Sequence, residues 1–405
     1  MNRNKFRTTL ALAFSAGLAL LTATAGAAVL HVPAAGEKAD GFRKDVMPVI
    51  PKGYSLTKGL KIMSIQKSAI ENAGNSPLTD PFAPLVSGFD NAFFPSSGDV
   101  YTSGSYYGPG PVMLGVKHIY IIWYGNWSGN TATTIIPRFI QALNRSPYEN
   151  IETTYTSQSG LHMSNAITLS GQTNDYYSQG TLINDASVQA IVRNALQSHR
   201  LPQDTGGIYL VLTSADVNET SGFCTQYCGW HTDGLNFGAS DIKYAFVGDP
   251  DQCAQIAGTS YNPCIVQANS PNGNAGADAM VSVIAHETEE AATDPQPSNG
   301  PYGWIGYDWA DGNSYENGDQ CAYRFGAATG ELFVTMNGSY ANMSLGGHDY
   351  LIQKNVVITD PSGRSDYGVN YANWLAWSQN GSSIPFGYGV PTPYGTSQYC
   401  GLHYP

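Results

Sequence analysis

Residues 283–295 read VIAHETEEAATDP, and three of the chain's ten glutamates fall within four residues directly behind a histidine. On an α-helix, positions i and i+4 share a face, so His286 and Glu290 point the same way and Glu287 sits about 100° around. This is the geometry of the H-E-x-x-H zinc helix with a carboxylate in place of the second imidazole. A divalent cation would be held there by the His286 imidazole and the Glu290 carboxylate. Glu287, adjacent but not ligating, would take the proton of a water activated by the ion. Catalytic sites of this kind use three protein ligands and leave a fourth position open. The third ligand must come from elsewhere, and YDWADGNSYENGDQCAY (307–323) carries Asp308, Asp311, Glu316 and Asp319. Glu316 is the first choice, with Asp319 as its anchor or its rival. Asp294 is a candidate to bond the imidazole N–H that faces away from the ion.

Zinc is the expected ion because an imidazole is present. One histidine and two carboxylates cancel the charge of a divalent ion, however, which acidifies water less and moves preference towards Mn²⁺ or Ca²⁺. Two other stretches compete. CTQYCGWH offers Cys224, Cys228 and His231 as zinc ligands, although thiols in an oxidising compartment more often form disulfides. DWADGNSYENGD has the oxygen-rich, Gly-punctuated look of a calcium loop without the EF-hand spacing. The bland alternative for the helix is an acidic turn facing water.

The elements that must position these residues are legible in outline. KHIYIIWYG (117–125), IYLVLTS (208–214) and IKYAFVGDP (242–250) read as buried strands. TTIIPRFIQALN (133–144) and SVQAIVRNALQSH (187–199) have helical spacing, and Pro137 suits only a first turn. DAMVSVIAHETEEAATDP, with Asp278 at its start and Thr-Asp-Pro as its stop, predicts a helix over 278–294. Alternation of strand and helix implies an α/β (α+β) fold, a mixed sheet with flanking helices. The remainder, including YLIQKNVVI (350–358), reads as a loop-rich C-terminal β region.

Residues 1–27 have a basic start, a short apolar run and small-residue cleavage sites, which together make a secretory signal peptide. Residues 28–111 are rich in Pro, Gly and Ser, irregular, and a possible pro-segment, because residues 38–67 carry seven Lys or Arg against two acids. Residues 112–405 read as a single domain. From residue 118 onward eight basic residues face twenty-four acidic ones. An acidic body repels phosphate backbones and anionic membranes, so nucleic acid is excluded as a partner, and no membrane association is expected after signal cleavage. Six cysteines in an exported chain imply three disulfides, and their spacing leaves all fifteen pairings open; a Cys321–Cys400 bridge, stapling the C-terminal tail to the body, is the one expected.

Several stretches, IYIIWYGNW, GGIYLVLTSADV, GFCTQYCGWH, KYAFVGD, SPNGNAGADAMVSVIAHETEEAATDP and YLIQ, resemble in the same order the phosphate-induced protein 1 family, to which the plant EXORDIUM and EXORDIUM-like proteins belong. The resemblance spans about residues 112–355. It implies a secreted, extracellular or wall-associated protein with no settled biochemical activity. Within it, this chain is identified as a member carrying an H-E-x-x-E metal-site motif, and the sheet followed by that helix is similar to the upper lobe of zincin metallopeptidases. The expected function is a secreted metal-dependent hydrolase, most simply a zinc endopeptidase acting on a protein, peptide or cell-wall polymer. The alternative is a non-catalytic extracellular binding protein, whose abundant Tyr and Trp could stack on sugars.

Overall fold

The strand β2 (Lys117–Tyr124) lies at the heart of the protein, with almost every side chain buried. A strand covered on both faces has no polar side to show, which is why KHIYIIWY reads as a run and not an alternation. The computed structural model describes residues 44–50, 111–157, 159–237, 240–257, 262–297, 303–304, 306–307, 314–326, 331–359 and 397–402. The expected leader and residues 28–43 and 51–110 of the irregular zone lie outside them.

Besides β1 (Asp45–Pro48) and β2, the main sheet uses β3 (Ile167–Asp175), β4 (Gly207–Thr213), β5 (Tyr227–Phe237) and β6 (Ser240–Gly248). Their order is β1-β5-β6-β4-β2-β3. The block β6, β4, β2 and β3 is parallel, β5 runs antiparallel to β6, and β1 antiparallel to β5. The sheet is therefore mixed, as the sequence implies. β1 comes from the zone expected to be irregular.

Three helices flank the sheet: α1 (Ala132–Leu143), α2 (Asp185–Gln197) and α3 (Ala275–Thr293). Pro137 is the sixth residue of α1, so the helix carries its missing N–H one turn further in than the sequence suggests. α2 starts with a capping box, in which Asn184 accepts from the Ser187 N–H and Ser187 Oγ accepts from the Asn184 N–H. α3 is capped by Asn274, whose side chain accepts from the Ala277 N–H at 3.0 Å. It begins three residues earlier than the sequence indicates.

Along β5, Trp230 turns towards Lys44, which in turn binds Asp185 at the start of α2. Gly229 faces α3, where an added Cβ would come within 2.4 Å of Val283 and 3.0 Å of Glu287. Successive strand residues point to opposite faces, so α2 and α3 cover opposite faces of the sheet.

Beyond α3 come the short helix α4 (Asn317–Gln320) and small antiparallel pairs, the longest being β7 (Asn355–Thr359) with β8 (Ser397–Gly401). This region packs against the side of α3 that the sheet leaves open, so α3 is buried almost throughout. A helix so enclosed must find internal partners for its polar side chains.

Disulfides Cys224–Cys253 and Cys228–Cys264 brace the start of β5 against the segment that leads into α3. Cys321 is also disulfide-bonded. The side chain of Cys400, its expected partner, lies outside the described residues.

Candidate metal centre

One helical turn of α3 presents four buried ionisable side chains, and the 100° step sorts them. His286, Glu287 and Glu290 face β5 and α4, whereas Glu289 faces the other way. Between the first three and their neighbours, six ionisable groups converge. His231 comes from β5, Glu316 from the residue before α4, and Asp319 from α4 itself. Five of them have no exposure to solvent, and Asp319 has 8%.

The distances fall into two overlapping sets. His286 Nε2 lies 3.0 Å from Glu290 Oε1 and 3.7 Å from Asp319 Oδ1. His231 Nδ1 lies 3.4 Å from Glu287 Oε2 and 3.5 Å from Glu290 Oε2. Within each set the potential ligand atoms all lie within 4.8 Å of one another. Glu290 belongs to both and gives one oxygen to each.

His286 and Glu290 thus meet as the i, i+4 spacing implies, while Glu287 groups with His231 and Glu290. The group formed with His286 and Glu290 is closed by Asp319, the rival ligand. Glu316 lies 3.6 Å from His231 Nε2, on the far side of that ring. His286 Nδ1 is met by Gln353 Nε2 at 2.5 Å, and Asp294, the candidate for that role, accepts from the Gly303 N–H at 2.7 Å. Asp308 and Asp311, and with them the first half of the proposed calcium loop, lie outside the described residues.

The largest surprise is His231. In the sequence it belongs with Cys224 and Cys228, but both thiols are consumed by disulfides, which removes the thiolate zinc site. The imidazole points instead at the acidic helix. Its only sequence signal is its place three residues after a cysteine that anchors β5.

Two glycines let the chains close around the centre. A Cβ on Gly318 would sit 2.7 Å from Glu290 Oε1 and 2.8 Å from His286 Nδ1, so only glycine fits there. Gly229 allows β5 to approach α3 in the same way.

The electrostatics follow from burying so many acids. Burial alone would lower the His231 imidazole, but Glu287 and Glu290 override it and hold its pKa up at about 10. Burial pushes Glu287 up to about 7, against the pull of His231 and His286. For Glu290 burial acts upward too, yet His286 and His231 prevail and bring it down to about 2. Four carboxylates and two imidazoles suit divalent ions of the kind that accept both nitrogen and oxygen.

Glu289 joins a separate buried cluster. It accepts a short hydrogen bond from Asn355 Nδ2. Nearby, Lys117 at the start of β2 pairs with Glu149 at 2.7 Å and Glu152 at 3.6 Å, and donates to the Ser164 carbonyl at 2.9 Å. Here an ammonium, in place of the imidazoles of the first cluster, supplies the positive charge.

Comparison with known proteins bears on the same region. Residues 106–364 match the phosphate-induced protein 1 conserved region, and every side chain of the centre falls within them. The chain is 32% identical to Protein EXORDIUM-like 3 of Arabidopsis thaliana over 237 residues, covering 53% of this chain and 70% of that protein. It is 30% identical to Protein EXORDIUM-like 5 of the same plant over 276 residues, covering 61% and 73%. No solved structure matches. The chain belongs to the phosphate-induced protein 1 family.

Proposed function

We propose that this protein is exported and acts as a metal-dependent hydrolase of zincin-like chemistry, most simply a zinc endopeptidase. The observation that carries the reading is the convergence of His286, Glu290 and Asp319 beside Glu287, whose two carboxylate oxygens are buried without a hydrogen bond among the described residues. Disulfides are in keeping with export, and no described helix is long and apolar enough to cross a membrane.

His286, Glu290 and Asp319 would hold the cation. When bound it supplies a Lewis acid that polarises a carbonyl and lowers the pKa of a water. Glu287 then accepts a proton from the water as its oxygen attacks the scissile carbonyl carbon. The same proton passes to the amine nitrogen as the C–N bond breaks. Zinc suits the imidazole, and calcium or manganese suits the oxygen-rich remainder. The substrate class is a protein, peptide or cell-wall polymer.

A second reading has its own support. Five of the six converging groups are fully covered, and a catalytic ion needs an open position that substrate can reach. On that basis the ion is structural, and the protein is a non-catalytic extracellular or wall-associated binding protein.

Metal analysis together with cleavage of a generic protein substrate separates the two. The hydrolase reading expects stoichiometric zinc, chelator-sensitive cleavage, and a Glu287→Gln variant that keeps its ion but loses turnover. Undiminished turnover in that variant removes Glu287 from the reaction. A tightly held ion with no cleavage, and polysaccharide binding that ignores chelator, supports the binding protein. A chain without metal ends both metal readings.

A further inference from the structure

We propose a second divalent-cation position, formed by His231, Glu287 and Glu290, that shares Glu290 with the first and withdraws Glu287 from hydrolysis when filled. The inference rests on the metal reading above and adds a regulatory site to it.

The spacing of the side chains carries the argument. Ligand atoms about 2.0–2.2 Å from a tetrahedral ion stand about 3.3–3.6 Å apart. His231 Nδ1 lies 3.4 Å from Glu287 and 3.5 Å from Glu290. Those lengths suit ligands around an ion better than a hydrogen bond, and this protein makes a short histidine–carboxylate bond elsewhere. His118 Nδ1 and Asp204 Oδ2 meet at 2.6 Å on the opposite part of the sheet. Among the described residues neither oxygen of Glu287 and neither ring nitrogen of His231 has a hydrogen bond, although both residues are fully buried. Groups so placed are costly unless something else completes them.

Glu290 has the form of a bridge. Its Oε1 faces His286 and its Oε2 faces His231, one oxygen for each position. Carboxylates that span paired ions about 3.5–4 Å apart do so in this way. Glu316, 3.6 Å from His231 Nε2, stands where a carboxylate orients a ligating imidazole through its other nitrogen. Charge points in the same direction. The carboxylates of Glu287, Glu290, Glu316 and Asp319 match two divalent ions once His231 gives up its proton, whereas with one ion a protonated His231 offsets only one of the two negative charges left buried.

The consequence for function comes from Glu287. With only the first position filled it is free to accept a proton. With the second filled its lone pairs are committed to the ion, so excess zinc should suppress the hydrolysis that the first zinc supports.

The test is titration of Zn²⁺ into chelator-stripped full-length protein by calorimetry, with Mn²⁺ loading followed by electron paramagnetic resonance. Two zinc ions per chain are expected, falling to one in His231→Gln and, independently, in Glu287→Gln. Two bound Mn²⁺ should give an exchange-coupled spectrum. One zinc per chain in the unmodified protein overturns the second position and leaves the first intact, while none overturns the metal reading as well. Two Mn²⁺ with independent spectra overturn the bridging role of Glu290. Should either variant fail to fold, the ion count and the spectrum of the unmodified protein decide the matter.

Discussion

Gln353 and His286 meet side chain to side chain, with the amide Nε2 2.5 Å from the imidazole Nδ1. The same amide donates to the Gly318 carbonyl at 3.2 Å, and the Gln353 backbone N–H donates to Ser282 Oγ on α3. Gln353 is thereby pinned to both walls of the centre. An imidazole that ligates through Nε2 carries its proton on Nδ1 and needs an acceptor there. The amide oxygen of Gln353 supplies it once the amide is turned over, which exchanges the hydrogen bond to the Gly318 carbonyl for one from the imidazole. Gln353→Leu is expected to weaken zinc affinity by about 10–100-fold, and Gln353→Glu to retain it. Competition with a chromophoric chelator measures both. Equal affinity in the leucine variant counts against an orienting role.

Gly318 offers a steric test of the same contact. A methyl group at this position would press on Glu290 Oε1 and on the His286 ring. Neither can retreat, because both are fully buried. Gly318→Ala should destabilise the protein by about 1–3 kcal/mol and reduce metal affinity together. Thermal melts with and without zinc would read both effects. A variant that melts like the parent and binds zinc equally shows that α4 does not clamp the centre.

How much of this was legible in the sequence depends on distance along the chain. The helix and its three inward groups follow from the i, i+1, i+4 spacing, which is local. The buried strands β2, β4 and β6 announce themselves as apolar runs. β5 does not, because CTQYCGWH mixes cysteine, glycine and polar residues, and its reading as a metal or disulfide cluster hid the strand. His231 reaches Glu287 only because β5 is the neighbour of β6, and strand order is not written in periodicity. The choice between Glu316 and Asp319 turns on where α4 begins, and four residues of helix leave too faint a pattern to fix it. Gln353 carries no metal signature at all. Edge strand β3 escaped notice because its outward residues are polar and Gly171 interrupts it.

Acidity in the Lys117 cluster gives a pH dependence with a definite sign. Burial raises Glu152 from an ordinary 4.5 to about 7, with Lys117 pulling the other way. Burial also lifts Glu289, and Asp249 rises to about 6 for the same cause. A carboxyl with a higher pKa in the folded state keeps a proton that the unfolded chain releases. Its contribution to stability is therefore full below about 4.5 and is lost as pH rises towards 7. In chelating buffer, the urea midpoint should fall between pH 5 and 7, and Glu152→Gln should flatten that fall while leaving the slope from Glu287 and Asp249. A midpoint that climbs across the window, or a variant with an unchanged slope, refutes the assignment.

The last prediction concerns the segment read as a possible pro-segment. Within it, β1 is the outermost strand of the main sheet, with Met47 opposite Gly229 and Val46 opposite Trp230. Lys44 locks the strand in place. Its ammonium lies 2.8 Å from Asp185 Oδ1 and 2.9 Å from the Tyr227 hydroxyl, and 4.2 Å from the centre of the Tyr227 ring. A partly buried cation so held contributes about 1 kcal/mol or more. Cleavage beyond residue 50 would strip β1 from the edge of β5, the strand that carries His231. Lys44→Ala is expected to lower the melting temperature and to speed amide exchange along β5, with the parallel strands unaffected. Mass spectrometry of exported protein decides whether the strand is kept. An N-terminus upstream of residue 44 makes β1 a permanent part of the sheet, whereas one beyond residue 50 makes its release a maturation step that uncovers the edge next to the candidate metal centre.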